Sequence, residues 1–476
     1  MRNLCIHGHF YQPPRENPWT DRVPEQPSAA PFHDWNERIA AECYRPNADN
    51  YSRMSFNFGP TLLHWFEQEQ PGLLRTVVEA DREARSGFGG HGSAMAQAWG
   101  HAILPLCTDR DRRTQVLWGL REFAHRFGRQ AEGFWLPETA VDIATLETLS
   151  LHGVSFTVLS PHQAEAVRPH DGAWVDVRDG SIDPRKPYWA DLPSGRRIAL
   201  FFYDGALSAE IAFGGLAQDG TALAERLKAA FTGAEGPQLV HVATDGETYG
   251  HHHAGGDRAL ALALTLLARD GEVRPTCYGE YLERHPPKDE VRILERSSWS
   301  CDHELGRWTR HCGCASDDGT RQDWRDPLRA AIEGLRDSIA GAWEARVSNQ
   351  LHDPWAARDD WIVLLFDPSR ARYDRFLERH AVTRLAPAER REMAQLFELQ
   401  QRLIQTETSC AWFFEDLARI ETVQVLQYAA RAIELGEHLL GLDLSEPFLT
   451  TLAQARSNDA EQGNGRDVWR RAISSR

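Results

Sequence analysis

Two carboxylates fall where acid–base chemistry can be built. Within the stretch GFWLPETAVD (residues 133–142), an apolar run halted at Leu136 and Pro137 puts Glu138 at its end. Within LVHVATDGETYG (residues 239–250) a second apolar run closes in acids, Asp245 and Glu247. Carboxylates at two strand ends, with aromatic and histidine neighbours, suit acid/base or nucleophilic work on a sugar. For Glu138 the same position also suits a surface residue in the first turn of a following helix. His7, His9 and Gln12 close the first apolar run, HGHFYQPP; alternation along a strand puts both rings of His7 and His9 on one face. His91 and Asp204 end further short runs and fit the same site by position. The triplet His251, His252, His253 follows Asp245 and Glu247, but three consecutive side chains reach one ion only from a contorted loop, and the spacing matches no standard ligand set. A last chemistry-rich stretch, SSWSCDHELGRWTRHCGC (residues 297–314), holds Cys301, His303, Cys312 and Cys314. Zinc is one reading. The Cys-x-His and Cys-x-Cys pairs are tighter than zinc-ribbon spacings, so the expectation is a loop over the barrel mouth, with Trp299, His303 or Trp308 touching substrate and no metal bound.

The elements that must position these groups read as strand and helix in alternation. Short apolar runs recur at 4–7, 54–58, 86–92, 133–136, 154–160, 197–203 and 239–244. Helical patterns fill the gaps, including residues 111–130, opened by an Asp that can cap, and 259–271, ended by a glycine. Strand alternating with helix means parallel βα units. Seven such strands predict an incomplete (β/α)7 barrel with its site in the loops after the strands. Residues 167–196 read as an inserted hairpin and loop. After Pro286 and Pro287 the pattern changes, and from Trp324 onward only helices are expected. The organisation expected is a catalytic barrel over 1–286, a loop region over 287–323 and a helical domain over 324–476.

Composition narrows the partners. The 476 residues carry a net charge of −16, against a nucleic-acid or anionic-membrane partner and in favour of a neutral substrate. Sixteen tryptophans suggest that some rings stack on sugar faces, although most belong in a core. No apolar window is long enough to span a membrane. The first residues are too polar for a signal peptide, and the eight cysteines are mostly scattered, so a cytoplasmic, thiol-reduced protein is expected.

The ordered motifs HGHFYQP, NFGPTLL, GHAILPL, GFWLPE and DGETYG resemble those of glycoside hydrolase family 57. The resemblance covers residues 1–285. The stretches SSWSCDHELGRW and 409–433 are similar to a family-57-like subgroup with a helical domain of unknown function. The resemblance implies a retaining enzyme acting on α-glucans or related α-linked oligosaccharides, an amylase or glucanotransferase in kind, without a cofactor. It assigns Glu138 as nucleophile and Asp245 as acid/base. Substrate contacts are expected from His7, His9, Gln12, His91, Trp135, Asp204, Tyr249, Trp299, His303 and Trp308. A zinc-dependent glycan hydrolase or deacetylase using His7 or His9 with Asp245, and a non-catalytic glycan-binding protein, are the alternatives. The sequence leaves linkage, chain length and oligomeric state open.

Overall fold

The computed structural model describes residues 2–314 and 320–474. The chain divides into two compact units. The first comprises residues 1–12, 25–99 and 119–300; the second comprises 13–24, 100–118 and 301–476. The division falls at 300/301 rather than at 286. The reason is the strand Glu290–Ile293, which pairs antiparallel with Ala164–Arg168 and so ties the chain beyond Pro287 to the first unit.

The first unit is built on parallel strands. In barrel order these are Arg2–Phe10, Ser55–Phe58, Ala96–Gln97, Gly133–Trp135, Phe156–Leu159, Arg197–Phe202 and Gln238–Asp245. Apart from the first residue of the first and sixth strands, and Asp245, every strand residue is buried; such unbroken burial marks strands covered on both faces. The first strand is central. It pairs with the seventh from Arg2↔Gln238 to His9↔Asp245, and with the second from His7↔Ser55 to Phe10↔Phe58. A bridge between Phe56 and Ala94 carries the circuit on; the fourth pairs with the third and the fifth, and the fifth with the sixth. Between the sixth and seventh strands no ladder is formed among the described residues; a backbone bond runs from Asp204 N to His241 O (2.9 Å), and the Phe201 ring meets His241 edge-on at 6.0 Å. The sixth strand's edge is taken instead by Tyr188–Asp191, which pairs with it antiparallel. This strand belongs to the insertion expected over 167–196.

The third strand lies at Ala96–Gln97, not at 86–92. Residues 86 and 87 end the helix Pro71–Gly87, and Gly89 and Gly90 have φ of 63° and 100°. A left-handed pair of glycines makes a turn and cannot extend.

The second unit is helical among its described residues. Arg325–Val347, Pro387–Gln405 and Ile420–Leu440 are the long helices of the region from Trp324 onward, where only helices are expected. In the first of these Leu328, Ile332, Leu335, Ile339 and Trp343 are buried at three- and four-residue spacing. A further helix, Gly465–Ser474, buries Val468, Trp469 and Ala472 on one side. No described helix is long and apolar enough to cross a membrane.

Candidate active site

Glu138 sits just past the fourth strand, in the one-turn 3-10 segment Pro137–Thr139. Its φ and ψ are 56° and 22°, and Thr139 follows with φ of 50°. Two successive side-chain-bearing residues in the left-handed region cost about 1–2 kcal/mol each and persist only where the surroundings hold them. Those surroundings are visible. The Trp299 backbone N–H donates to Glu138 O (3.1 Å), and Val141 N donates to Ser297 O (3.0 Å). Gln163 clamps the next residue, its Nε2 donating to Thr139 O (2.9 Å) while its Oε1 accepts from Thr139 Oγ1 (2.8 Å). The Glu138 carboxylate accepts two hydrogen bonds on Oε2, from Trp299 Nε1 (3.0 Å) and Ser300 Oγ (2.8 Å).

Asp245 ends the seventh strand, directly opposite His9 of the first. Its neighbours in the strand are buried while Asp245 keeps an exposed surface at the strand end. Its pKa is pushed up to about 7, first by the protein crowded around it and second by the negative charge of Glu138. The two facts agree if water reaches the acid only from the open side. Both acids lie at or just past the C-terminal ends of parallel strands and so stand at the same end of the barrel.

Behind the acids stands an aromatic and imidazole wall. His7 is stacked on Trp135 (4.5 Å, 16°), and His9 on the same indole (5.2 Å, 20°). Trp299 meets Trp135 edge-on at 5.3 Å and Tyr203 at 6.3 Å. His7 uses both ring nitrogens within the protein, toward Ser55 Oγ and Asn57 Oδ1 (3.0 Å each). His9 Nδ1 also faces the Asn57 amide (2.9 Å to Nδ2), whose Nδ2 donates to Gln97 as well. Burial lowers both imidazoles to about 3, so both are neutral at physiological pH. Glu247 is engaged inside the protein. It is buried, accepts from Tyr44 OH (2.6 Å) and Tyr11 N (3.0 Å), and is raised to about 8 by burial and then by Asp245.

The other expected contacts divide. His7, Trp135 and Tyr249 are fully buried; they support the site and present no surface to a ligand. Gln12 donates to its neighbour's carbonyl, Tyr11 O (2.8 Å). Asp204 is corrected to a helix cap: its carboxylate accepts from Leu207 N at the start of Gly205–Ala212. Tyr203, one residue earlier, is the strand-end side chain that reaches the wall. His91 is corrected as well. It pairs with Glu132 (2.9 Å) and Glu283 (3.0 Å), and Glu132 precedes the fourth strand, so His91 lies at the N-terminal ends of the strands. His303 and Trp308 belong to the second unit, where Trp308 is fully buried and His303 Nδ1 faces Cys314 Sγ at 3.3 Å. The histidine triplet scatters: His251 goes to Glu42 and His253 to Ala212 O. Asn57, Tyr203 and Ser300 were missed as site residues. Asn57 sits inside the NFGP motif, so the signal was present but carried no obvious chemistry.

A sequence profile described as glycosyl hydrolase family 57 matches residues 30–294, more than half of the chain. The chain belongs to glycosyl hydrolase family 57. A second profile, a domain of unknown function (DUF3536), matches residues 321–476. No curated protein matches the chain. Solved structures of similar fold include an exo-type maltose-forming amylase from Pyrococcus sp. ST04, with a TM-score of 0.72, 15% identity, and coverage of 99% of this chain and 88% of that one. A family-57 branching enzyme from Thermococcus kodakaraensis aligns with a TM-score of 0.60, 15% identity and coverage of 99% and 94%. The α-amylase AmyC from Thermotoga maritima aligns at 0.57, with 14% identity and coverage of 98% and 99%. At such identity the likeness establishes the family-57 fold, an incomplete barrel with a helical region, and not a substrate.

Proposed function

We propose that this family-57 protein is a retaining α-glycoside hydrolase or transglycosylase, acting on an α-glucan or a related α-linked oligosaccharide. The observation that carries the reading is the placement of two acids at the ends of barrel strands, Glu138 past the fourth with its carboxylate held by Trp299 and Ser300, and Asp245 at the end of the seventh. Burial, and then the charge of Glu138, raises the Asp245 pKa to about 7. An ionised acid beside a protonated one is the pairing that double displacement requires. Glu138 attacks the anomeric carbon and the bond to the leaving oxygen breaks, giving a β-glycosyl-enzyme. Asp245 passes its proton to that oxygen. Once Glu138 is esterified its charge is gone, Asp245 becomes a stronger acid, and its carboxylate takes a proton from water or from an acceptor sugar hydroxyl. That oxygen attacks the same carbon from the opposite side, Glu138 leaves as a carboxylate, and the α configuration is retained.

Trp299 and Ser300 hold Oε2 of Glu138 and so orient its carboxylate. Further support comes from the solved neighbours, which are named as a maltose-forming amylase, a branching enzyme and an α-amylase. The test is intact-protein mass spectrometry after incubation with 5-fluoro-α-glycosyl fluorides of glucose, galactose and mannose. A covalent adduct mapped to Glu138, absent in Glu138→Ala, is expected. Turnover of an α-glucan with no trapped adduct and with inverted product would refute the retaining reading.

A further inference from the structure

The second unit contains a cluster that the glycosidase chemistry does not use. Cys301, His303, Cys312 and Cys314 bring three sulfurs and one ring nitrogen within 4.8 Å of one another, and no other described group of His, Cys, Asp and Glu is so gathered. From this geometry we propose that the protein binds one zinc ion through these four side chains.

The separations fit a tetrahedron. Zinc–sulfur bonds of about 2.3 Å at the tetrahedral angle put two sulfurs about 3.8 Å apart. Cys301 Sγ and Cys314 Sγ are 3.8 Å apart, well beyond a disulfide bond. His303 Nδ1 stands 3.3 Å from Cys314 Sγ, close to the edge expected between nitrogen and sulfur. Three thiolates and an imidazole are the donor set that favours zinc over hard cations.

The backbone is shaped for this approach. The pairs are close in sequence, Cys-x-His and Cys-x-Cys, and a loop must fold each onto the other. Gly313, between Cys312 and Cys314, has φ of 81°, and Glu304, next to His303, has φ of 60°. Gly306 begins the one-turn segment Gly306–Trp308 inside the loop; a Cβ there would stand 2.8 Å from Cys312 Cβ. Glycine at that position is what lets the two pairs meet.

The surroundings complete the charge balance. Three thiolates and neutral histidine on a divalent ion leave one net negative charge. Arg325 is fully buried and directs Nη1 at Cys312 Sγ (3.7 Å), while its Nη2 donates to Phe413 O and Phe414 O. Gln322 donates through Nε2 to Cys314 O (3.1 Å) and to Glu415 (3.3 Å). A guanidinium fixed beside a metal-bound thiolate is an outer-shell partner that offsets the site's charge. Cys301 is buried and His303 exposed, so the ion would sit at the rim of the unit as a structural clasp with all four positions filled by protein.

The experiment is metal analysis of the full-length protein, purified without chelators or a histidine tag, beside Cys312→Ser/Cys314→Ser and a control, Cys410→Ser, at a cysteine outside the cluster. One zinc per chain is expected in the wild type and the control, with loss in the double variant. Should the double variant fail to fold, the wild type itself decides. Exchange into cobalt should then produce thiolate-to-metal charge-transfer absorption and the strong visible bands of a tetrahedral ion. Absence of bound zinc with all eight thiols titratable after unfolding, or a Cys301–Cys314 disulfide in the purified protein, would overturn the proposal. None of these readouts depends on glycosidase activity.

Discussion

Trp299 donates its indole N–H to Glu138 Oε2 over 3.0 Å, and its backbone N–H to the Glu138 carbonyl over 3.1 Å. One residue therefore holds both the carboxylate and the left-handed backbone beneath it. A hydrogen bond to a charged group contributes about 1.5–3 kcal/mol. Trp299→Phe keeps the ring against Trp135 but removes the donor. A drop in kcat/KM of about 10- to 100-fold is expected, with the fold intact by circular dichroism. Unchanged kinetics would remove Trp299 from the positioning of Glu138.

The backbone at Glu138 allows a cleaner test of strain. At φ of 56° a Cβ is costly and a bare glycine is not. Glu138→Ala and Glu138→Gly lose the same hydrogen bonds and should both be inactive. The glycine variant should be the more stable by about 1 kcal/mol, the reverse of the usual order between these residues. Urea unfolding of the two variants side by side measures the difference.

Asp245 sets the basic limb of the pH profile. Its pKa stands near 7 against an ordinary 3.8, and the proposed first step needs its proton. Activity on an α-glucan should fall as pH rises through about 7. Replacing Glu138 with Gln removes the charge that helps hold the value up, so the Asp245 pKa should drop in that variant. Carboxyl infrared or NMR titration reads this directly; an unmoved value would mean that the two acids are not coupled.

Glu247 predicts a stability effect with a definite sign. Its folded pKa is raised from 4.5 to about 8. Below pH 4.5 the folded and unfolded chains both hold the proton. Between 4.5 and about 8 only the folded chain keeps it, so stability falls with rising pH by about 1.4 kcal/mol per unit from this group, and the fall ends above about 8. Glu247→Gln keeps an acceptor for Tyr44 and Tyr11 and cannot ionise. Its thermal midpoint should match the wild type near pH 4.5 and exceed it at pH 8 and above.

Asn57 joins His7, His9 and Gln97 in one buried network. Asn57→Leu fills the space but strips partners from both imidazoles. Each stranded buried group costs about 1–3 kcal/mol, so a marked loss of stability is expected in denaturant unfolding. Midpoint changes under a few tenths of a kcal/mol would show that the network is dispensable.

Local pattern carried much of this protein. Six of the seven barrel strands, the long helices at 325–347, 387–405 and 420–440, and the strand-end positions of Glu138 and Asp245 were all legible as runs and periods along the chain. These signals survive because strands covered on both faces read as unbroken apolar runs, while burial in a helix repeats about every 3.6 residues. Folding decided the rest. His91 and Asp204 had the right residue types near strand ends, but side-chain partners far away in sequence, or a helix start, claimed them. Asn57 and Ser300 became site residues only when strands and loops distant in sequence met. Cys301 and His303 stand apart from Cys312 and Cys314 until a loop turning at Gly306 and Gly313 closes them to within 4.8 Å. Spacing along a chain sets which residues share a face; only the packed backbone sets which faces meet, and the coupling of Asp245 to Glu138 arises from that meeting.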